Sequence, residues 1–211
     1  RIVEAGGEHI GADHDPALHL VTEAGGAGRG VHVLQSRPVG QHPLAEPYYS
    51  QAALRYGDHV AKLGAFPASP AQAALADAPL DTGREDGNVF RHAVLSYLAG
   101  SEAVFDIRVQ LCLNLDDMPV EDASVVWPEE TSPYRTIATI TAAPQASWSE
   151  ARAAFVDDGL SFSPWHGLAA HRPLGGIMRM RRSAYEMGRK FRSEKNGRSI
   201  EKPKNLDTLP D

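Results

Sequence analysis

Alternation of apolar and polar residues predicts three strands in the chain. The segment 103–115 alternates most clearly, with Phe105, Ile107 and Val109 on one side and charged or polar residues on the other. The segment 134–144 is rich in β-branched residues and predicts a second strand. A third strand is expected from Val60 to Phe66, and residues 31–39 are expected to form a short strand or an extended piece.

Helical spacing of apolar residues, together with start and stop signals, predicts four helices. The longest is expected from just after Gly176 to about Lys195, because Asn196 and Gly197 form a stop signal. The others are expected over 88–100, from Ser69 or Pro70 onward, and over 147–159 with Ser147 or Ser149 as cap. The strands have hairpin-like or long connections, so we expect an α+β fold: an antiparallel sheet or barrel with helices outside it.

Charge and composition exclude several classes of protein. The 211 residues carry a net charge of −6, which argues against nucleic acid as the main partner. No apolar run approaches the ~20 residues that a membrane span needs, and the first residues lack a secretory pattern. The single Cys112 excludes an internal disulfide, and we expect a cytoplasmic location. The chain does not begin with Met, so we expect it to be part of a longer one.

A basic segment near the end of the chain, HRPLGGIMRMRRSAYEMGRKFR, contains one tyrosine among many cations. On a helix, residues four or seven positions apart lie on nearly the same line, so Arg181, Tyr185 and Arg192 share a face. Met178 and Gly188 complete this stripe, whereas Arg182, Arg189 and Lys190 are expected to point elsewhere. Two interpretations account for the spacing. The first is a solvated basic helix with one amphipathic tyrosine, and the second is a binding site for an anion.

A tyrosine beside an arginine has a chemical use that favours the second interpretation. A guanidinium next to a phenol favours the phenolate form, and a tyrosinate is an anionic ligand that holds haem iron in catalases. An arginine further along the helix could pair with a haem propionate.

Three stretches of the sequence resemble the catalase-related haem proteins, in particular their small bacterial members. The first is FSPWHGLAAHRPLGGIMRMRRSAYEMGRKFR, which contains the proximal pattern Arg-x-x-x-Tyr followed by an arginine seven residues later. The second is EDASVVWPEETSPY and the third is PYYSQAALRYGDHVAKLGAFP. They follow the family's order and together cover about residues 44–196.

The resemblance implies a haem-dependent protein that metabolises hydrogen peroxide or an organic hydroperoxide. Tyr185 would be the axial ligand of a haem b iron, Arg181 would hydrogen-bond its oxygen, Arg192 would contact a propionate and Met178 would lie against the cofactor. The implied fold is an incomplete antiparallel β-barrel with external helices and a C-terminal haem-proximal helix. Residues 1–43 would lead in from an upstream part, 44–196 would form the C-terminal portion of one haem domain, and 197–211 would be a tail.

One expected part of the family pattern is not found in the chain. Catalases carry a distal histidine, followed by a distal asparagine, in their first half, and none of the nine histidines here stands in that phrase. We therefore expect no catalytic residue in this chain, and dependence on a missing N-terminal half or a partner subunit; a homo-oligomer is also allowed. A haem-free structural or interaction subunit is the alternative function.

Three other groups of residues are weaker candidates. The loop HIGADHDPALH gathers histidines and aspartates and is expected to be polar rather than metal-binding. The acidic residues Asp116, Asp117, Glu121 and Asp122 are expected to form a solvated loop rather than a pair for acid/base work. The apolar surroundings of Cys112 predict an unreactive thiol.

Overall fold

The computed structural model describes residues 40–83, 87–200 and 210, which belong to one unit, Val39–Asp211. The predictions for residues 31–39 and for the histidine-rich loop at 9–19 lie outside the described residues, and the domain boundaries at 44 and 196 stay predictions. The strands are β1 (Tyr48–Tyr49), β2 (Leu54–Tyr56), β3 (His59–Pro67), β4 (Ala103–Leu111) and β5 (Arg135–Ala142). The α-helices are α1 (Pro70–Ala74), α2 (Val89–Leu98), α3 (Glu150–Ala154) and α4 (Gly176–Asn196).

The five strands form one antiparallel sheet in the order β1-β3-β4-β5, and β2 also pairs with β3. The short β1 and β2 share one edge of β3, where Tyr49 lies opposite Gly64 and Leu54 opposite Ala61. Among the described strands, none pairs with the outer edge of β5. The antiparallel sheet with helices is confirmed. Within the described residues the sheet is not closed into a barrel, because closure requires the last strand to pair with the first.

A loop between β4 and β5 covers one part of the sheet and supplies much of the core. Trp127 is 1% exposed and Met118 is fully buried, and both pack against Ala53 beside β2. The side chain of Gln110 donates to the carbonyl oxygen of Trp127 at 3.1 Å. The ammonium of Lys62 lies 4.8 Å from the centre of the Trp127 ring, and burial lowers the pKa of this lysine. The loop therefore buries polar side chains of β3 and β4 by giving them partners.

The strand β5 is exposed along almost all of its length and contains an irregularity. Its pairing with β4 shifts by one residue between Ile107 and Arg108, where Ile137 is the extra residue on β5. In a regular strand, Thr136 and Thr139 would point to opposite faces because side chains alternate. Here both hydroxyl groups donate to the carboxylate of Asp106, each at 3.3 Å. The bulge therefore brings two threonines onto one face.

Start signals are seen at α1 and α3, and a stop signal is seen at α4, where the sequence predicts them. The hydroxyl of Ser69 accepts from the backbone N–H of Gln72 at the start of α1, and Ser149 accepts from Arg152 at the start of α3. Ser147 is therefore not the cap of α3. The last helix, α4, ends at Asn196 and is capped by Gly197, which adopts a left-handed φ of 60°.

Candidate functional site

The beginning of α4 is held against the sheet and against the covering loop. The backbone N–H of Leu174 donates to the carbonyl oxygen of Ala53 at 3.0 Å. The guanidinium of Arg179 forms a two-pronged ion pair with Glu121, at 3.0 and 2.8 Å, which holds the pKa of that carboxyl below its usual range. Gly175 has a φ of 85°, and a Cβ there would lie 2.5 Å from the carbonyl oxygen of Val120. These contacts fix where α4 points.

Arg181 and Tyr185 are joined directly on the half-buried side of α4. The Arg181 Nη2 atom donates to the Tyr185 hydroxyl oxygen at 2.6 Å. The Nη1 atom of the same guanidinium lies 3.7 Å from the sulfur of Met178, which is itself buried. A cation, a thioether and a phenol therefore form a continuous row along the helix. Three of the four predicted cofactor-binding residues lie together.

Arg192, the fourth predicted cofactor-binding residue, is engaged elsewhere. Its guanidinium donates to the backbone carbonyl oxygens of Asp157 and Leu160, the latter at 3.2 Å. One turn further on, the Asn196 amide donates to the carboxylate of Asp158 at 2.8 Å. These contacts join the end of α4 to the turn that follows α3. The predicted contact between Arg192 and a propionate stays a prediction.

Two hollows border the Arg181–Tyr185 pair. The smaller, of about 380 Å³, includes Arg181 and Met178 together with residues 49–54. The larger is an open cleft of about 770 Å³ that includes Tyr185. Its wall across from α4 comes from the segment 161–166, which contributes Phe162, Trp165 and His166. The phenol therefore borders the larger cleft, while its hydrogen-bonding arginine borders the smaller hollow.

The larger cleft is also lined by cations that were expected to point away from the tyrosine. Arg182, Arg189 and Lys190 all line it together with Tyr185. The cleft extends around the helix well beyond a single line of residues, which is why bases outside the predicted stripe reach it. The spacing contained a signal for one of them, because Arg189 follows Tyr185 by four residues.

The other candidate residues have structural partners. The thiol of Cys112 donates to the carbonyl oxygen of Asn114 at 3.3 Å, and burial raises its pKa, which favours the unreactive protonated form. Among the acidic residues, Glu121 pairs with Arg179, and Asp122 accepts from the Ser124 hydroxyl at 2.6 Å. Within residues 40–83, 87–200 and 210, no three His, Cys, Asp or Glu side chains gather as metal ligands would.

No described helix combines the length and the apolar character that a membrane crossing requires. That agrees with the absence of a long apolar run in the sequence.

Comparison with solved structures identifies the kind of fold. A fungal catalase matches 81% of this chain and 38% of its own chain at 13% identity, with a TM-score of 0.53. Catalase A from Saccharomyces cerevisiae matches 80% of this chain and 39% of its own at 14% identity, with a TM-score of 0.51. No family model and no curated protein matches the chain. The fold is therefore catalase-like, and the chain spans less than two fifths of the length of these catalases.

Proposed function

We propose that the chain is the haem-proximal portion of a catalase-like protein that acts on peroxides, with Tyr185 as the axial ligand of haem iron. The observation that carries the proposal is the 2.6 Å hydrogen bond from Arg181 to the Tyr185 oxygen. It joins two residues of the Arg-x-x-x-Tyr pattern within a catalase-like fold. As part of the same proposal, the chain is related to the small bacterial catalase-related proteins.

The donor set fits a phenolate ligand. A tyrosinate ligand would accept a charge-assisted hydrogen bond from a guanidinium, and Arg181 is placed to donate one to the Tyr185 oxygen. The sulfur of Met178 lies against the same guanidinium at 3.7 Å and restricts where it can move. Arg181 therefore orients the phenol of Tyr185, a residue that lines the larger cleft.

The larger cleft also suits the two chemical halves of a haem. Its wall offers flat apolar surface from Phe162, which is 57% exposed, and from Trp165. Its rim offers cations from α4. A macrocycle that is apolar in its centre and carries carboxylates at one edge matches this division.

The haem would supply the redox chemistry of the reaction on peroxide. The residues described here would hold the ligand oxygen and place the cofactor, and they would not move the substrate's proton. We propose that a distal base from an upstream half or a partner subunit does so, and that the outer edge of β5 is where such a part pairs.

A haem-free interaction subunit is the second candidate function. The observation that favours it is the exposure of apolar side chains on β5, where Ile137 is 45% and Ile140 57% exposed. Such a strand offers both hydrogen-bonding groups and apolar surface to another chain.

Haemin titration of the purified chain distinguishes the two functions. We expect a Soret band with a high-spin ferric tyrosinate pattern that disappears in Tyr185→Phe. Arg181→Gln should retain haemin with weaker affinity, because the oxygen loses its cationic donor. Tyr97→Phe is the matched control, since its hydroxyl donates to the carbonyl of Glu102 and lines neither hollow. A spectrum that is the same in the wild type and Tyr185→Phe would remove the proposed ligand.

A further inference from the structure

The two arginines that flank Tyr185 on α4 line different hollows. Around a helix, positions four apart are separated by about 40°. Arg181 precedes Tyr185 by four residues and Arg189 follows it by four, so the two arginines flank the phenol on opposite sides. Arg181 lines the smaller hollow and Arg189 lines the larger cleft.

Within the larger cleft, two of the three cations already have acidic neighbours. Arg182 lies 3.8 Å from Glu186 and its guanidinium lies 5.4 Å from the centre of the Trp165 ring. Lys190 lies 3.8 Å from Glu194. Both glutamates line the cleft as well, so their charges offset those of the two bases.

Arg189 is the cation of the cleft that keeps its charge uncompensated. Among the described residues, no ion pair or hydrogen bond engages its guanidinium. It is exposed, lies one turn from Tyr185 and lines the same cleft as Phe162 and Trp165. An arginine in this position can take a carboxylate in two-pronged geometry.

Arg192, to which the family resemblance gives the contact with a propionate, does not line the larger cleft. Its guanidinium already donates to the carbonyl oxygens of Asp157 and Leu160. Turning it toward a ligand would leave those carbonyls without their donor, and only the contact between Asn196 and Asp158 would still join the end of α4 to the segment after α3. The geometry gives Arg192 a structural connection instead.

We propose that Arg189 binds the carboxylates of the ligand in the Tyr185 cleft, and that Arg192 is a positioning residue that holds α4 against residues 157–160. The inference rests on the proposed haem function and adds which side chain recognises the acidic edge of the cofactor. It also explains why the cleft has both an apolar wall and one uncompensated cation. The ligand class it selects is a flat, apolar molecule with at least one carboxylate.

Binding of haemin and of haemin dimethyl ester, whose carboxylates are masked, tests this assignment. We expect Arg189→Gln to weaken haemin binding by about tenfold, the loss of one charge-assisted contact, and to leave binding of the ester unchanged. Arg192→Gln should weaken both ligands equally, and it should lower the thermal midpoint of the ligand-free protein. Arg135→Gln, which removes the same charge from β5, should change neither affinity.

The outcomes separate the inference from the function on which it rests. Suppose that haemin binding depends on Tyr185 but Arg189→Gln changes the affinities for haemin and for the ester equally. Arg189 then does not bind the carboxylates, and the inference is overturned. If Arg192→Gln selectively weakens haemin, the carboxylate contact belongs to Arg192. If Tyr185→Phe leaves the haemin spectrum unchanged, the proposed function fails, and the assignment of Arg189 fails with it.

Discussion

The neighbouring strands β4 and β5 share a ladder of hydrogen bonds but have opposite surroundings. Near its end β4 is covered on both faces, since Val109 is 4% and Gln110 2% exposed. Along β5, seven of the eight residues are exposed. Both strands are rich in β-branched and apolar residues. The comparison shows that strand pairing alone does not bury side chains.

The difference comes from the loop that connects the two strands. This loop folds back over β3 and β4 and places Trp127 and Met118 on them. It then leads into β5 without covering it. A packed sheet needs a second layer on each apolar face. Among the described residues, the loop supplies that layer over β3 and β4 and not over β5. Four substitutions test this contrast, from the largest expected effect to the smallest.

Removing the side chain at the centre of the covered region should have the largest effect. Trp127→Ala would leave a cavity between Met118 and Ala53, and we expect the free energy of unfolding to fall by about 3–5 kcal/mol. Urea unfolding measures the loss. The control is Phe191→Ala on α4, because that ring is 60% exposed and its removal should cost much less. Equal losses in the two variants would mean that the loop is not a second layer.

Adding a methyl group at Gly175, where the loop meets the start of α4, should have the next largest effect on stability. Gly175→Ala would place a Cβ about 2.5 Å from the Val120 carbonyl oxygen, at a φ of 85° that alanine rarely adopts. We expect a loss of about 1–3 kcal/mol in the free energy of unfolding. Gly100→Ala is the matched control, because a Cβ there meets open space. A thermal midpoint unchanged in Gly175→Ala would show that the loop and α4 do not depend on each other.

Tyr134 lies just before β5, between the covered and the exposed region, and it should make the stability of the protein sensitive to alkaline pH. Burial, with Tyr49 and Glu129 nearby, raises the pKa of Tyr134 to about 12. Above the usual value of about 10 the unfolded chain loses this proton first, so stability should fall as the pH rises from about 10 to about 12. In Tyr134→Phe this part of the alkaline loss should disappear. Thermal midpoints at pH 9 and pH 11.5 measure it, and an identical decrease in both proteins would contradict the raised pKa.

Changing the bare strand should have the smallest effect on the isolated chain. Ile140 is 57% exposed, so Ile140→Thr should alter the free energy of unfolding by no more than about 0.5 kcal/mol. The variant should still reduce association in sedimentation experiments if β5 is a pairing edge. A large destabilisation of a monomeric chain would mean that β5 is covered.

Much of the local structure follows from short-range signals that the sequence contains. Ser69 and Ser149 start helices, and Gly197 ends one, because capping depends on the neighbouring three or four residues. The pairing of Arg181 with Tyr185 is predictable for the same reason, since helical geometry alone brings positions four apart together.

Long-range partners were not predictable in the same way. The two carbonyls that engage Arg192 lie more than 30 residues earlier in the chain. The burial of Lys62 and Gln110 depends on a loop that no periodicity describes. The cleft beside Tyr185 depends on where the segment 161–166 lies. Helical spacing alone could therefore not predict which cations line it.

The extra residue in β5 has a consequence for how the protein avoids unwanted assembly. An exposed strand edge is a template for aggregation, and a bulge limits the length over which another strand can pair. The irregularity at Ile137 interrupts β5, and the regular stretch after it comprises residues 138–142. We expect a strand that pairs along the whole edge to follow the same offset, so the bulge should restrict which strands can pair there.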